Sequence, residues 1–121
     1  MSRSILVVED HEDNRRILRD LLSSAGYGMI EAVDGEEGVA LAESASPDLI
    51  LMDLQLPGVD GYEATRRIKA NPALRRIPVI AVTSYALSGD DERAREAGCD
   101  AYVAKPFSPR ALLGKIREYL P

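Results

Sequence analysis

Three short apolar runs in this chain each stop at a charged side chain: ILVVED at Glu9 and Asp10, DLILMD at Asp53, and AYVAK at Lys105. A strand that terminates in a charge delivers that charge to the edge of a sheet, so three such endings point to one shared polar pocket. Runs of this kind, four to seven residues long, alternate with longer stretches of helical spacing. That alternation predicts a parallel sheet with crossover helices. The expected strands are Ile5–Glu9, Gly28–Val33, Leu49–Leu54, Val79–Thr83 and Ala101–Ala104.

The helical stretches carry their own punctuation. In the first, Ile17, Leu18, Leu21, Leu22 and Ala25 fall within about 140° at roughly 100° per residue, and Gly26 stops it. The second runs Glu36–Ala45 before Pro47, and the third Tyr62–Ala70 before Asn71-Pro72. The last opens at Ser108-Pro109, where serine accepts from an orphan amide and proline fills the first turn without losing a hydrogen bond. Its buried stripe is Leu112, Leu113, Ile116 and Leu120. The fourth stretch, SGDDERAREAG, offers an N-cap at Ser88 but only Ala94 and Ala97 as inward apolar residues. Light packing of this kind suits a surface that shifts at low free-energy cost.

Size and charge restrict what such a pocket serves. The 121 residues make one domain, 1–121, large enough for a single hydrophobic core. A net charge of −5 disfavours direct contact with nucleic acid or an anionic membrane, both of which call for basic patches. No run approaches the roughly 20 apolar residues of a membrane span. The one cysteine, Cys99, forms no internal disulfide and is expected as a small buried residue, which suits a cytoplasmic location.

Strands with long apolar stretches and right-handed crossovers point to an open sheet with helices on both faces. Ligands in such sheets bind beyond the carboxyl ends of the strands. Glu9, Asp10, Asp53, Lys105 and Thr83, which ends IPVIAVT, would meet there. These residues carry a resemblance that covers the whole chain. Through VED, LILMDLQLPGVDG, VIAVTS and AYVAKP, in order, the chain resembles a two-component response-regulator receiver domain. In DLQLP and GDDERAREAGCDAYVAKP it is most similar to single-domain cell-cycle regulators of the DivK type.

The resemblance implies an α/β, flavodoxin-like (βα)5 fold, doubly wound, with a five-stranded parallel sheet in the order 2-1-3-4-5. It implies a phosphorylation-dependent signalling switch rather than an enzyme acting on outside substrates, catalysing only its own phosphoryl transfer and dephosphorylation. Asp53 would be the phosphoacceptor, taking the group from a histidine kinase or histidine phosphotransferase. Glu9, Asp10, Asp53 and the backbone carbonyl of Gln55 would hold Mg²⁺, a hard cation suited to crowded oxygen ligands. Lys105 would answer the phosphoryl charge, its bond to Pro106 cis as the family favours. Thr83 and Tyr102 would be the switch pair that changes a downstream-protein face on helix 4, strand 5 and helix 5, with homodimerisation left open. Ile17 and Phe107 are either core residues or the contact for the donor's helical bundle. Met1 and Pro121 suit a free-standing chain, the alternative being a receiver excised from a hybrid histidine kinase or longer regulator.

Two other chemistries fit less well. A phosphatase of the haloacid dehalogenase type needs a second aspartate two residues after its nucleophile, where this chain has Gln55. A flavodoxin-like electron carrier needs a first loop that cradles a flavin phosphate, and EDHED would repel one. His11 lacks a second histidine or cysteine nearby and reads as a solvated loop residue.

Overall fold

A computed structural model of the chain describes residues 3–83 and 90–120, without the side chains of 90 and 91. Strands and helices alternate throughout: β1 (Ser4–Val8), α1 (Glu12–Ser24), β2 (Gly28–Ala32), α2 (Gly35–Ala45), β3 (Leu49–Asp53), α3 (Gly61–Ala70), β4 (Val79–Thr83), α4 (Asp90–Ala97), β5 (Ala101–Ala104) and α5 (Pro109–Tyr119). All strand pairs are parallel, in the order β2-β1-β3-β4-β5 that the resemblance implied. Three strands are one residue shorter at their ends than expected, leaving Glu9, Val33 and Leu54 just beyond β1, β2 and β3.

The continuous apolar runs have a direct cause. Every residue of β3 and β4 is buried, because helices cover both faces of the sheet. The period of two sends Leu6, Val8, Ile50, Met52 and Ala81 to one face, against Ala64 and Ile68 of α3 and Ala94 and Ala97 of α4. Ile5, Val7, Leu51, Ile80 and Val82 go to the other, against Leu18 and Leu22 of α1 and Leu112 and Ile116 of α5. Each large aliphatic side chain sealed in this way contributes about 1.5–3 kcal/mol. The edge strands are less enclosed, and all four residues of β5 are half-buried.

Helix ends follow the local chemistry of the sequence. Asp34, Asp60 and Ser108 accept from the backbone N–H groups of Glu37, Glu63 and Ala111 at 2.8, 2.9 and 3.0 Å. Ser46 closes α2 in the left-handed region, at φ 45°. The Ser88 cap expected for α4 lies outside the described residues, while Ala94 and Ala97 are buried as expected. One expectation is corrected: Ile17 is 58% exposed, whereas Leu18 and Leu22 are sealed. Its place at the margin of the stripe turns it away from the sheet. Cys99 is buried, and burial pushes its thiol up to about 11, which makes it a poor nucleophile. Among the described residues no helix is long and apolar enough to cross a membrane.

Gly61 begins α3 one residue earlier than the pattern predicted, and it does so because it lacks a side chain. A Cβ there would collide with the backbone carbonyl of Asp53 and lie 2.7 Å from Leu54 Cα. The Gly61 N–H donates to Leu54 O at 3.3 Å, folding the loop after β3 back on itself. Backbone atoms cannot rotate out of the way as a side chain can. Gly61→Ala should therefore lower stability by on the order of 1–3 kcal/mol, the usual cost of overpacking a tight site. A urea midpoint unchanged from the native protein would refute this.

Candidate functional site

The hydrogen-bond ladder runs one step past the strands and carries the charged residues with it. Glu9 N–H donates to Ala32 O at 3.0 Å, Leu54 N–H to Val82 O at 3.2 Å and Lys105 N–H to Thr83 O at 2.6 Å. Because Val8 is level with Met52, the next step of that register brings Glu9 beside Asp53. From α1, Arg15 donates to the Glu9 carbonyl at 2.8 Å, giving that strand-end acceptor a partner.

Glu9 and Asp53 follow Val7 and Leu51 in the two-residue alternation, so both emerge on the α1/α5 face. Lys105 Nζ reaches between them, 2.8 Å from Glu9 Oε1 and 3.4 Å from Asp53 Oδ2. Its bond to Pro106 is cis, as the resemblance implied. The three side chains are only 3%, 7% and 18% exposed for Glu9, Asp53 and Lys105, so water screens their interaction weakly.

Asp10 and His11 form the rim. The His11 ring is 71% exposed, in keeping with a loop residue, yet its Nδ1 lies 3.3 Å from Glu9 Oε2 and 3.2 Å from Asp10 Oδ1. Asp10 Oδ1 is shut off from solvent and, among the described residues, accepts no hydrogen bond. A shielded carboxylate oxygen with a ring nitrogen nearby but no hydrogen bond is costly unless a cation meets it. Among the described residues, the three carboxylates also outnumber the one ammonium set between them, which leaves a surplus of negative charge. The donor set therefore fits a hard divalent ion with oxygen ligands.

Thr83, wholly buried, falls on the opposite face, which Ala81 of the same strand helps to build with Tyr102 beside it across the register. The two halves of the site are joined by Gln55. Its backbone N–H donates to Asp53 Oδ1 at 2.9 Å, and its side-chain amide meets the Thr83 hydroxyl, 2.7 Å from Nε2 and 3.0 Å from Oε1. The resemblance gave Gln55 a role through its backbone carbonyl alone, and nothing in the local pattern announces a side-chain contact across 28 positions. Beside the charges, a largely apolar cavity of about 430 Å³ opens between α1 and the loop after β5, lined by Asn14, Ile17, Leu18, Pro106 and Phe107.

Proton affinities divide the two buried acids. Burial is the largest influence on Asp53 and pushes its carboxyl up to about 6; the Gln55 N–H opposes the shift and the Glu9 charge adds to it. Burial also works against ionised Glu9, but the Lys105 hydrogen bond and the His11 N–H prevail and hold it below the ordinary carboxylate range. A carboxyl whose pKa is higher folded than unfolded costs stability above the folded value, and that cost vanishes below the unfolded one. Asp53→Asn should therefore stabilise the chelator-treated protein at pH 7–8 by on the order of 1–3 kcal/mol. The gain should close as pH falls from about 6 toward about 4. Denaturant midpoints of the two proteins across that range provide the check, and a gain that persists unchanged at low pH would contradict it.

Comparison with known proteins matches this geometry. A family model described as the response regulator receiver domain matches residues 5–117. The polar-differentiation response regulator DivK of Brucella ovis is 48% identical over 120 residues, covering 99% of this chain and 98% of that protein, and DivK of Brucella anthropi matches to the same extent. Among solved structures, the receiver domain of the sensor histidine kinase PA1611 from Pseudomonas aeruginosa, with a magnesium ion coordinated in its active site cleft, is 41% identical with a TM-score of 0.92, covering 99% of this chain and 98% of that one. Chemotaxis protein CheY4 of Vibrio cholerae also superposes with a TM-score of 0.92, at 25% identity over 98% of this chain and 99% of that one. The chain belongs to the response regulator receiver domain family, the phosphorylation-operated switches of two-component signalling.

Proposed function

We propose that Asp53 is the phosphoacceptor of this receiver, taking a phosphoryl group from a phosphohistidine donor. The observation that carries the reading is the position of its carboxylate. It is nearly buried, fixed at Oδ1 by the Gln55 N–H and faced at Oδ2 by Lys105. One oxygen is thus oriented and the other lies where an ammonium meets an incoming phosphoryl group. Phosphoryl transfer depends chiefly on positioning and charge compensation, and this arrangement offers both.

Glu9, Asp10 and Asp53, with the Gln55 carbonyl, would hold Mg²⁺, the ion coordinated in the Pseudomonas receiver. When bound it supplies charge neutralisation on the phosphoryl oxygens. The orphaned Asp10 oxygen and the surplus negative charge support this assignment. Lys105 remains within reach of Asp53 and compensates developing charge. The chain acts on no outside substrate; it assists its own phosphorylation and dephosphorylation.

Thr83 and Tyr102 act as the switch, on the face built with α4. The hydroxyl moves toward the new phosphoryl oxygen and the ring turns inward, provided the phosphoryl group interacts differently with the two states. Shifting such an equilibrium from 1:99 to 99:1 takes about 5.5 kcal/mol, and one to three charge-assisted hydrogen bonds are of that order. A downstream protein then reads the α4/β5/α5 face. The donor, a histidine kinase or phosphotransferase with a helical docking face, meets the apolar cavity at Ile17 and Phe107, where the exposure of Ile17 supports contact with a partner. The setting is cytoplasmic.

Asp53→Asn should abolish stable labelling by acetyl phosphate, and chelation of Mg²⁺ should do the same to the native protein. Undiminished labelling in either case would defeat the assignment. Beryllofluoride with Mg²⁺ should displace the amide resonances of Tyr102 and α4, and an unmoved spectrum there would remove the switch. Ile17→Asp should slow transfer from a phosphohistidine protein at least about tenfold more than it slows labelling by acetyl phosphate, the loss expected on breaking a docking contact. Equal slowing of both would place Ile17 outside the donor interface.

A further inference from the structure

We propose that the side chain of Gln55 is a positioning residue that holds Thr83 in its resting place and thereby sets how readily phosphorylation throws the switch. The inference rests on the assignment of Asp53 and Thr83 just given and adds a component that the ligand and switch sets do not contain.

Asp53 and Thr83 leave the sheet on opposite faces, by the alternation of Leu51 with Met52 and of Ala81 with Val82. Gln55 spans that divide. Its main chain is bonded to the phosphoacceptor through the N–H at 2.9 Å, and its amide engages the Thr83 hydroxyl through two contacts of 2.7 and 3.0 Å. A hydroxyl both donates and accepts, so it bonds the amide whichever of the two atoms it addresses. Thr83 is wholly buried and Gln55 half-buried, which makes loss of such a bond more costly than at the surface.

A hydroxyl that turns toward a phosphoryl oxygen gives up its place against the amide. The resting state is thus favoured by the Gln55 contact and the switched state by the phosphoryl group, and the balance is struck at one oxygen atom. Apolar residues of similar size without the amide remove the first contribution and leave the second. The main-chain N–H and carbonyl of residue 55 survive any such substitution, so the phosphoacceptor keeps its oriented oxygen. The contact with Thr83 is lost.

The test is a beryllofluoride titration in the presence of Mg²⁺, followed by the amide resonances of Thr83 and Tyr102. The proteins compared are the native chain, Gln55→Leu, Gln55→Met, Thr83→Val and the Gln55→Leu/Thr83→Val double variant. Both Gln55 variants should bind beryllofluoride about fivefold more tightly, the worth of one ordinary net hydrogen bond. Without beryllofluoride, their Thr83 and Tyr102 resonances should already lie part of the way toward the native bound position. In the Thr83→Val background the Gln55→Leu effect should vanish, because no hydroxyl remains to be held. Unchanged or weaker binding by the Gln55 variants, or a gain that persists with Thr83→Val, would overturn the latch while leaving the phosphoacceptor and switch in place. A native protein whose Thr83 and Tyr102 resonances ignore beryllofluoride would instead overturn the switch itself, and the latch with it.

Discussion

Crowding of carboxylates at the ends of adjacent parallel strands is the constraint from which the remainder of this site follows. Parallel strands cannot alternate their polarity, so acids placed at their carboxyl ends must meet. The β1/β3 register leaves Glu9 and Asp53 side by side, and the helices above them exclude most of the water that would screen their repulsion. Such a pair is tolerable only with positive charge held against it. The chain supplies one such charge from a third strand, through Lys105.

The sheet also sorts the site by face. Charge collects on the side of α1 and α5, while Thr83 and Tyr102 stand on the side of α3 and α4. Between the two sides lie β3 and β4, buried on both faces, so the sheet's middle separates them and its end is where the chain passes from one to the other. The loop after β3 is the bridge, with Gly61 pressed against the Asp53 carbonyl and Gln55 reaching over to Thr83.

Much of this was legible in the order of residues, and the reasons differ by element. The five strands were readable because burial on both faces demands uninterrupted apolar runs, and the meeting of Glu9, Asp53 and Lys105 was readable because those runs end in charge. Strand order was not, since periodicity records which residues face a core but not which strand lies beside which; it came through the resemblance. Thr83 was readable as the end of IPVIAVT, but its expected pairing with Tyr102 also came through the resemblance, a hydroxyl and a phenol in strands being unremarkable by composition. Ile17 was drawn into the apolar stripe of α1 because helical spacing cannot tell the margin of a stripe from its centre, and it faces solvent. The contact of Gln55 with Thr83 and the approach of Gly61 to Asp53 depend on how one loop is folded, which no periodic signal encodes. Arg15 at the Glu9 carbonyl escaped notice for the same reason.

Lys105 has a consequence of another kind. An ammonium on a flexible stem is a counterion tethered to the protein, and its local concentration never falls when ions outside grow scarce. Standing closer to Glu9 than to Asp53, it gives the acid with the lower proton affinity a companion and leaves Asp53, the proposed phosphoacceptor, only partly answered. The fold thus carries one counterion of its own, whereas the phosphoryl chemistry proposed for Asp53 calls for another from outside. Robustness and responsiveness, usually opposed, are assigned to two oxygen pairs on neighbouring strands.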